Sequence, residues 1–145
     1  MRGQRSQIRL ATEEDIDQVR LNDLGIDPGV IKTKIERGEI LVCDDGGQIT
    51  GILRFQWFWD HLPFINHIWV EEGFREEHRA TRMIRKLEEL TAGKNYGRIM
   101  TSTQSNETGQ NFFRKVGFED AGGFTMRDQS FELIMIKYIE PDKLR

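Results

Sequence analysis

The sequence predicts an α/β (α+β) fold, a central mixed sheet, mostly antiparallel, flanked by helices. Three observations predict it. Apolar runs of strand length recur along the chain, some continuous and some alternating with polar residues. Asp45-Gly46-Gly47-Gln48 joins two of these runs as a tight hairpin. After Val70 the apolar period changes from that of a strand to that of a helix, so the strands on either side are joined by a crossover and lie parallel. The 145 residues suit one domain, which we place at 7–145 behind a polar tail, 1–6.

The elements follow in order. Ile8-Arg9-Leu10-Ala11 alternates as a short strand. Thr12 with Glu13, Glu14 and Asp15 reads as a capped helix start, running to about Leu21. A second helix is expected over Val30–Arg37, stopped by Gly38. Glu39–Asp44 and Ile49–Trp59 form the hairpin, Asp60-His61-Leu62-Pro63 turns the chain, and Phe64–Val70 is a third antiparallel strand. Ala80, Met83, Ile84, Leu87 and Leu90 then recur at helical spacing up to Gly93. Arg98–Thr103 reads as a strand. A helix over Glu107–Val116 follows, with Asn106 as its cap and Gly117 as its stop. Phe131–Tyr138 closes the series as the last strand.

Composition narrows the function. Hydrophobic residues make up 37% and charged residues 31%, with a net charge of −3, so the bulk balance gives no case for nucleic acid or an anionic membrane. The single cysteine, Cys43, follows Ile40-Leu41-Val42 and reads as a buried strand residue, which fits a reducing compartment. Met1–Gln7 is polar and is not followed by the apolar core of a leader, and no apolar run is long enough to span a membrane. A cytoplasmic protein is the expectation. His61, His67 and His78 form no ligand spacing, so no metal is expected.

Two segments carry candidate chemistry. The first runs Glu71-Glu72-Gly73-Phe74-Arg75-Glu76-Glu77-His78-Arg79-Ala80-Thr81, from a strand into the start of a long helix. Free N–H groups and the helix dipole make such a junction suited to anions, and equally a solvated connection. The second runs Ser105-Asn106-Glu107-Thr108-Gly109-Gln110-Asn111-Phe112-Phe113-Arg114-Lys115-Val116-Gly117-Phe118. Taken alone it reads as a capped core helix with a glycine stop.

Together these segments resemble the two signature motifs of the GNAT N-acetyltransferase superfamily, and the order of elements fits that fold over nearly the whole chain. Arg75-Glu76-Glu77-His78-Arg79-Ala80 matches the family's Arg/Gln-x-x-Gly-x-Gly/Ala loop, and Asn106, Phe112, Phe113, Lys115, Gly117 and Phe118 match the second motif in spacing. Phe58-Trp59-Asp60-His61-Leu62-Pro63-Phe64 further resembles a hairpin found in a group of bacterial GNAT proteins. The resemblance implies a sheet splayed between its fourth and fifth strands. It implies acetyl-CoA as co-substrate and an amine acceptor, either small or peptidic. It assigns the coenzyme to the main chain of Ile68, Trp69 and Val70, to the loop Arg75, Glu76, Glu77, His78, Arg79, Ala80 and Thr81, and to Asn106, Phe112 and Phe113.

Two departures from the pattern stand out. His78 occupies a position where the family has glycine, which serves such loops through positive φ or close approach to phosphate. Phe113 stands where many members have a tyrosine that protonates the departing thiolate. General acid catalysis contributes roughly 10²–10⁴-fold, so its loss predicts slow transfer. The usual acidic base position, four before Val70, is Asn66, which can only orient. Asp60, His61 and His67 remain as candidate bases, since histidine titrates near neutral pH. Trp57, Trp59 and His61 are candidates for the acceptor pocket. The alternative is a catalytically weak or inactive module of this fold that binds acyl-CoA or another metabolite. A homodimer through sheet edges or the last strand is compatible with the pattern.

Overall fold

The computed structural model describes residues 6–75 and 78–139. In chain order these form β1 (Gln7–Leu10), a 3-10 turn (Glu13–Asp15), α1 (Ile16–Leu21), α2 (Pro28–Glu36), β2 (Ile40–Asp45), β3 (Gln48–Phe58) and β4 (Leu62–Val70). Next come α3 (Arg79–Leu90), β5 (Arg98–Gln104), α4 (Gly109–Lys115), β6 (Phe118–Phe124) and β7 (Glu132–Tyr138). The strands lie in the order β1-β2-β3-β4-β5-β7-β6. Of the pairings with a defined register, only β4–β5 is parallel, with Phe64 opposite Met100 and Ile65 opposite Thr101. Two compact units share the chain. One holds the described residues through Phe55 together with His67–Leu87, and the other holds Gln56–Asn66 and the described residues from Glu88 onward.

In the first unit, Ile40-Leu41-Val42-Cys43 of β2 is buried on both faces, as a central strand requires. Val19, Ile31 and Ile35 of the helices pack with Ile40, Val42, Ile49 and Ile52 of the strands, and Trp69 of β4 lies against this cluster. The β2–β3 turn places Gly46 at φ 64° and Gly47 at φ 100°, the left-handed pair that matches strand twist. Helix α2 starts two residues before the expected Val30. Asp27 caps it by accepting from the N–H of Gly29 at 2.7 Å, and Pro28 fills the first helical position. On α3, Met83, Ile84 and Leu87 are buried. Leu90, expected on the same face, is 41% exposed because the helix ends there.

The second unit departs from expectation in three places. Helix α4 begins at Gly109, so Asn106 lies in a turn outside the helix and does not cap it. Glu107 N–H donates to Gln104 O at 3.0 Å, and the Gln110 amide donates to Ser105 O at 2.7 Å, which fold residues 105–108 into that turn. A seventh strand, β6, occupies residues expected to be loop. Of its residues only Phe118 is buried, and its register against β7 shifts between Asp120 and Gly123, so no alternation was there to read. Trp59, expected as the last residue of the strand from Ile49, lies outside β3, which ends at Phe58. Trp59 and Asp60 form a two-residue turn at φ 54° and 67°, closed by His61 N–H donating to Phe58 O at 3.2 Å. That turn lets Leu62 and Pro63 join β4.

Candidate functional site

The loop from β4 into α3 is built around one buried cation. Arg79 is 4% exposed. Its guanidinium donates to both oxygens of Asp45, at 2.8 and 3.2 Å, and to the carbonyl of Phe74 at 2.9 Å, and it lies 5.0 Å from the Phe74 ring centroid. These bonds hold the Asp45 carboxyl below the usual carboxylate range, Arg79 being the main cause and Thr50 a second donor. The side chain of Arg79 is therefore engaged in anchoring the loop. Arg82 is likewise engaged, donating to the carbonyl of Ser6 at 2.6 Å and to its hydroxyl. Arg75 is exposed, and its Nε donates to the carbonyl of Val70 at 3.0 Å.

His78 takes φ 56°, the left-handed conformation for which this position in such loops uses glycine. A histidine there is uncommon but tolerated. At the start of α3, Arg82 N–H donates to His78 O at 2.9 Å. Arg79, Ala80 and Thr81 form the first turn of α3, at the positive end of its dipole. Glu76 and Glu77 lie outside the described residues.

On β4, the candidates separate. Asn66 is exposed, and its Oδ1 accepts from Gln56 Nε2 at 2.8 Å. His67 Nε2 lies 3.1 Å from the carbonyl of Asn22 and 3.8 Å from Oδ1 of Asp23. A carbonyl only accepts, so Nε2 carries a proton and Nδ1 is the atom left to exchange one. Asp23 is buried and paired with Arg54, Nε to Oδ2 at 2.7 Å. Sequence reasoning missed Asn22, Asp23 and Arg54. The available signal was Arg54 itself, a charge inside the apolar run of β3 that needs a buried partner. Trp69 packs against the α1–α2 core, Val70 is buried and Ile68 is half-buried.

In the second unit, the motif helix places Phe113 in the core, edge-on to Phe112 at 5.4 Å and to Phe118 at 5.3 Å. Asn106 is exposed. The hairpin residues gather elsewhere. Trp57, Asp60 and His61 line a cavity of about 410 Å³ together with Gly93, Lys94 and Tyr96 of the α3–β5 loop. The His61 ring stands edge-on to Tyr96, with centroids 4.8 Å apart. Trp59 is 68% exposed and contacts Phe58 instead. Asn66 and His67 take no part in that lining, so the candidate bases fall into two separate clusters. Lys94 and Tyr96 were not foreseen, because their only sequence signal was the turn pattern around Asn95 and Gly97.

Comparison with known proteins bears on the family and the fold. The sequence model of the acetyltransferase (GNAT) family matches residues 8–118. No curated protein matches the sequence. Among solved structures, a GNAT-family acetyltransferase of Bacillus cereus superposes with a TM-score of 0.77 at 22% identity, covering 94% of this chain and 99% of that one. An N-acetyltransferase of Staphylococcus aureus gives 0.71 at 22% identity, covering 94% and 100%. The PaiA N-acetyltransferase of Thermoplasma acidophilum, solved with coenzyme A, gives 0.76 at 13% identity, covering 93% and 99%. At these identities the structural likenesses speak for the fold alone. The sequence match spans more than half of the chain, and by it the chain belongs to the GNAT acetyltransferase family.

Proposed function

We propose that this protein is an acetyl-CoA-dependent N-acetyltransferase that passes the acetyl group directly to a primary amine, with residues 7–145 acting as one domain. The observation that carries this reading is His78 at φ 56°, which leads directly into the first turn of α3, the positive end of that helix's dipole. The loop holds its left-handed turn although it lacks the glycine. The main-chain donors of Arg79, Ala80 and Thr81 then receive the pyrophosphate, with Arg75 supplying charge. The coenzyme A complex of the Thermoplasma enzyme supports the same choice of co-substrate. The pantetheine arm pairs with the main chain of Ile68, Trp69 and Val70. The Val70 carbonyl retains a lone pair beside the one Arg75 uses. Asn106, Phe112 and Phe113 complete the assignment of the arm.

His67 is the base, acting through Nδ1, while Asn66, its neighbour on β4, points to the other face of the strand and takes no part. The acceptor ammonium gives one proton to Nδ1. Its neutral nitrogen attacks the thioester carbonyl carbon and the C–S bond breaks. As the amide forms, the nitrogen loses a second proton, which returns through solvent to the thiolate, because Phe113 has none to give. Asp60, Trp57, Trp59 and His61 are left out of this step, since the first, second and fourth line a cavity that excludes Asn66 and His67.

Calorimetry with acetyl-CoA tests the reading. A Thr81→Glu variant puts a carboxylate among the first N–H groups of α3. It suits the helix dipole, so the fold persists, and it repels pyrophosphate. We expect micromolar binding by the native chain and roughly tenfold or greater weakening in the variant at unchanged melting temperature. Equal binding by both would place the coenzyme elsewhere.

Phe113, which cannot donate a proton, favours a second reading, a binding module of this fold with little turnover. Phe113→Tyr separates the two. On the enzyme reading it raises turnover, measured by thiol release. Coenzyme binding with no turnover in either form supports the module.

A further inference from the structure

The cavity at the β3–β4 hairpin is not used by the proposed transfer, and it has the makings of a site of its own. Asp60 and Lys94 line it with opposite charges, yet neither has an ion-pair partner among the described residues. Trp57 and Tyr96 add aromatic surface, and His61 adds an imidazole. The backbone around it is strained. Of five non-glycine residues at positive φ among the described residues, three are here: Trp59 at 54°, Asp60 at 67° and Tyr96 at 50°. Large aromatic side chains rarely adopt that conformation, and such strain gathers where a ligand site repays it.

Tyr96 is 71% exposed, so packing does not hold its strained backbone in place. Asn95 does. It is buried, its amide nitrogen donates to Thr91 Oγ1 at 3.0 Å, and its Oδ1 accepts from Gly97 N–H at 2.8 Å. Gly97 O in turn accepts from Ile139 N–H at 2.8 Å. The loop is thus fixed from below while Tyr96 is turned against His61. Nδ1 of His61 is shut off from water and has no hydrogen-bond partner. Buried polar atoms are nearly always paired, and an exception calls for a reason.

We propose that this cavity binds a small zwitterion of the α-amino acid class, independently of acetyl transfer. The ligand ammonium pairs with Asp60 and lies against the aromatic faces of Trp57 and Tyr96. Its carboxylate pairs with Lys94. A volume of about 410 Å³ falls within the usual range for small-molecule sites and leaves room for a side chain.

Amide NMR of the whole chain, titrated with each of the standard L-amino acids at millimolar concentration, is the test. At least one should give saturable shifts centred on His61, Gly93, Lys94 and Tyr96. The same amino acid capped as its N-acetyl form, or as its methyl ester, should bind roughly tenfold more weakly or worse, as should Asp60→Asn and Lys94→Met. Both substitutions are at exposed side chains, so the fold is kept. Absence of saturable shifts at these residues overturns the site. Loss with only one cap, or with only one substitution, overturns the zwitterion.

Discussion

At positions 45 and 79 a carboxylate and a guanidinium meet largely out of water, with relative side-chain exposures of 18% and 5%. The folded state stabilises the ionised form of Asp45, so its folded pKa lies below the unfolded value of about 3.9. The pair's contribution is complete above that value and drains away as the pH falls through the folded pKa. Asp45→Asn should therefore cost about 3 kcal/mol at neutral pH, because it strands the Arg79 charge, and should flatten the acid limb of the stability curve. Denaturant melts across pH 2–7 would read both. His67 makes its own demand at this scale. His67→Gln keeps a donor to the Asn22 carbonyl while removing the imidazole. On the proposed mechanism kcat falls by about 10²–10⁴-fold and acetyl-CoA affinity stays. An unchanged kcat with a lowered melting temperature would mark His67 as a strand residue and nothing more.

Among the elements, α3 owes its seat to a missing side chain. A Cβ on Gly51 of β3 would come within 3.0 Å of Met83 Cε and 3.1 Å of Cys43 Cβ. Gly51→Val should cost about 1–3 kcal/mol by overpacking, seen as a lower denaturation midpoint. Sequence reading handled elements of this kind unevenly. The hairpin of β2 and β3 was legible because Gly46-Gly47 and the apolar runs agree. The period of α3 was legible from Met83, Ile84 and Leu87. Strand β6 was not, since Glu119, Asp120, Gly122 and Gly123 are poor strand formers and the strand exists because β7 offers it a ladder. The start of α4 was misread because Gln110, placed in the helix, bonds back to the Glu107 carbonyl, which a longer helix would have used itself.

For the chain as a whole, what was legible was local pattern and what was hidden was pairing at a distance. The spacing from Asn106 to Phe118 pointed to the family. Nothing in the segment 75–82 showed that Arg79 and Arg82 find partners at Asp45 and Ser6, which are 34 and 76 residues away. The same holds for the hairpin cavity, whose lining joins residues 57–61 to 93–96. Strand β6 ends the order of the sheet, with residues 119–124 all exposed. An open edge of that kind invites other chains to add on. Here the edge carries Glu119 and Asp120 and is broken by a bulge before Gly123, and charge and bulges are devices that stop an edge from templating aggregation. The irregularity that hid β6 from a pattern search is thus also a feature that disfavours the addition of a further strand at that edge.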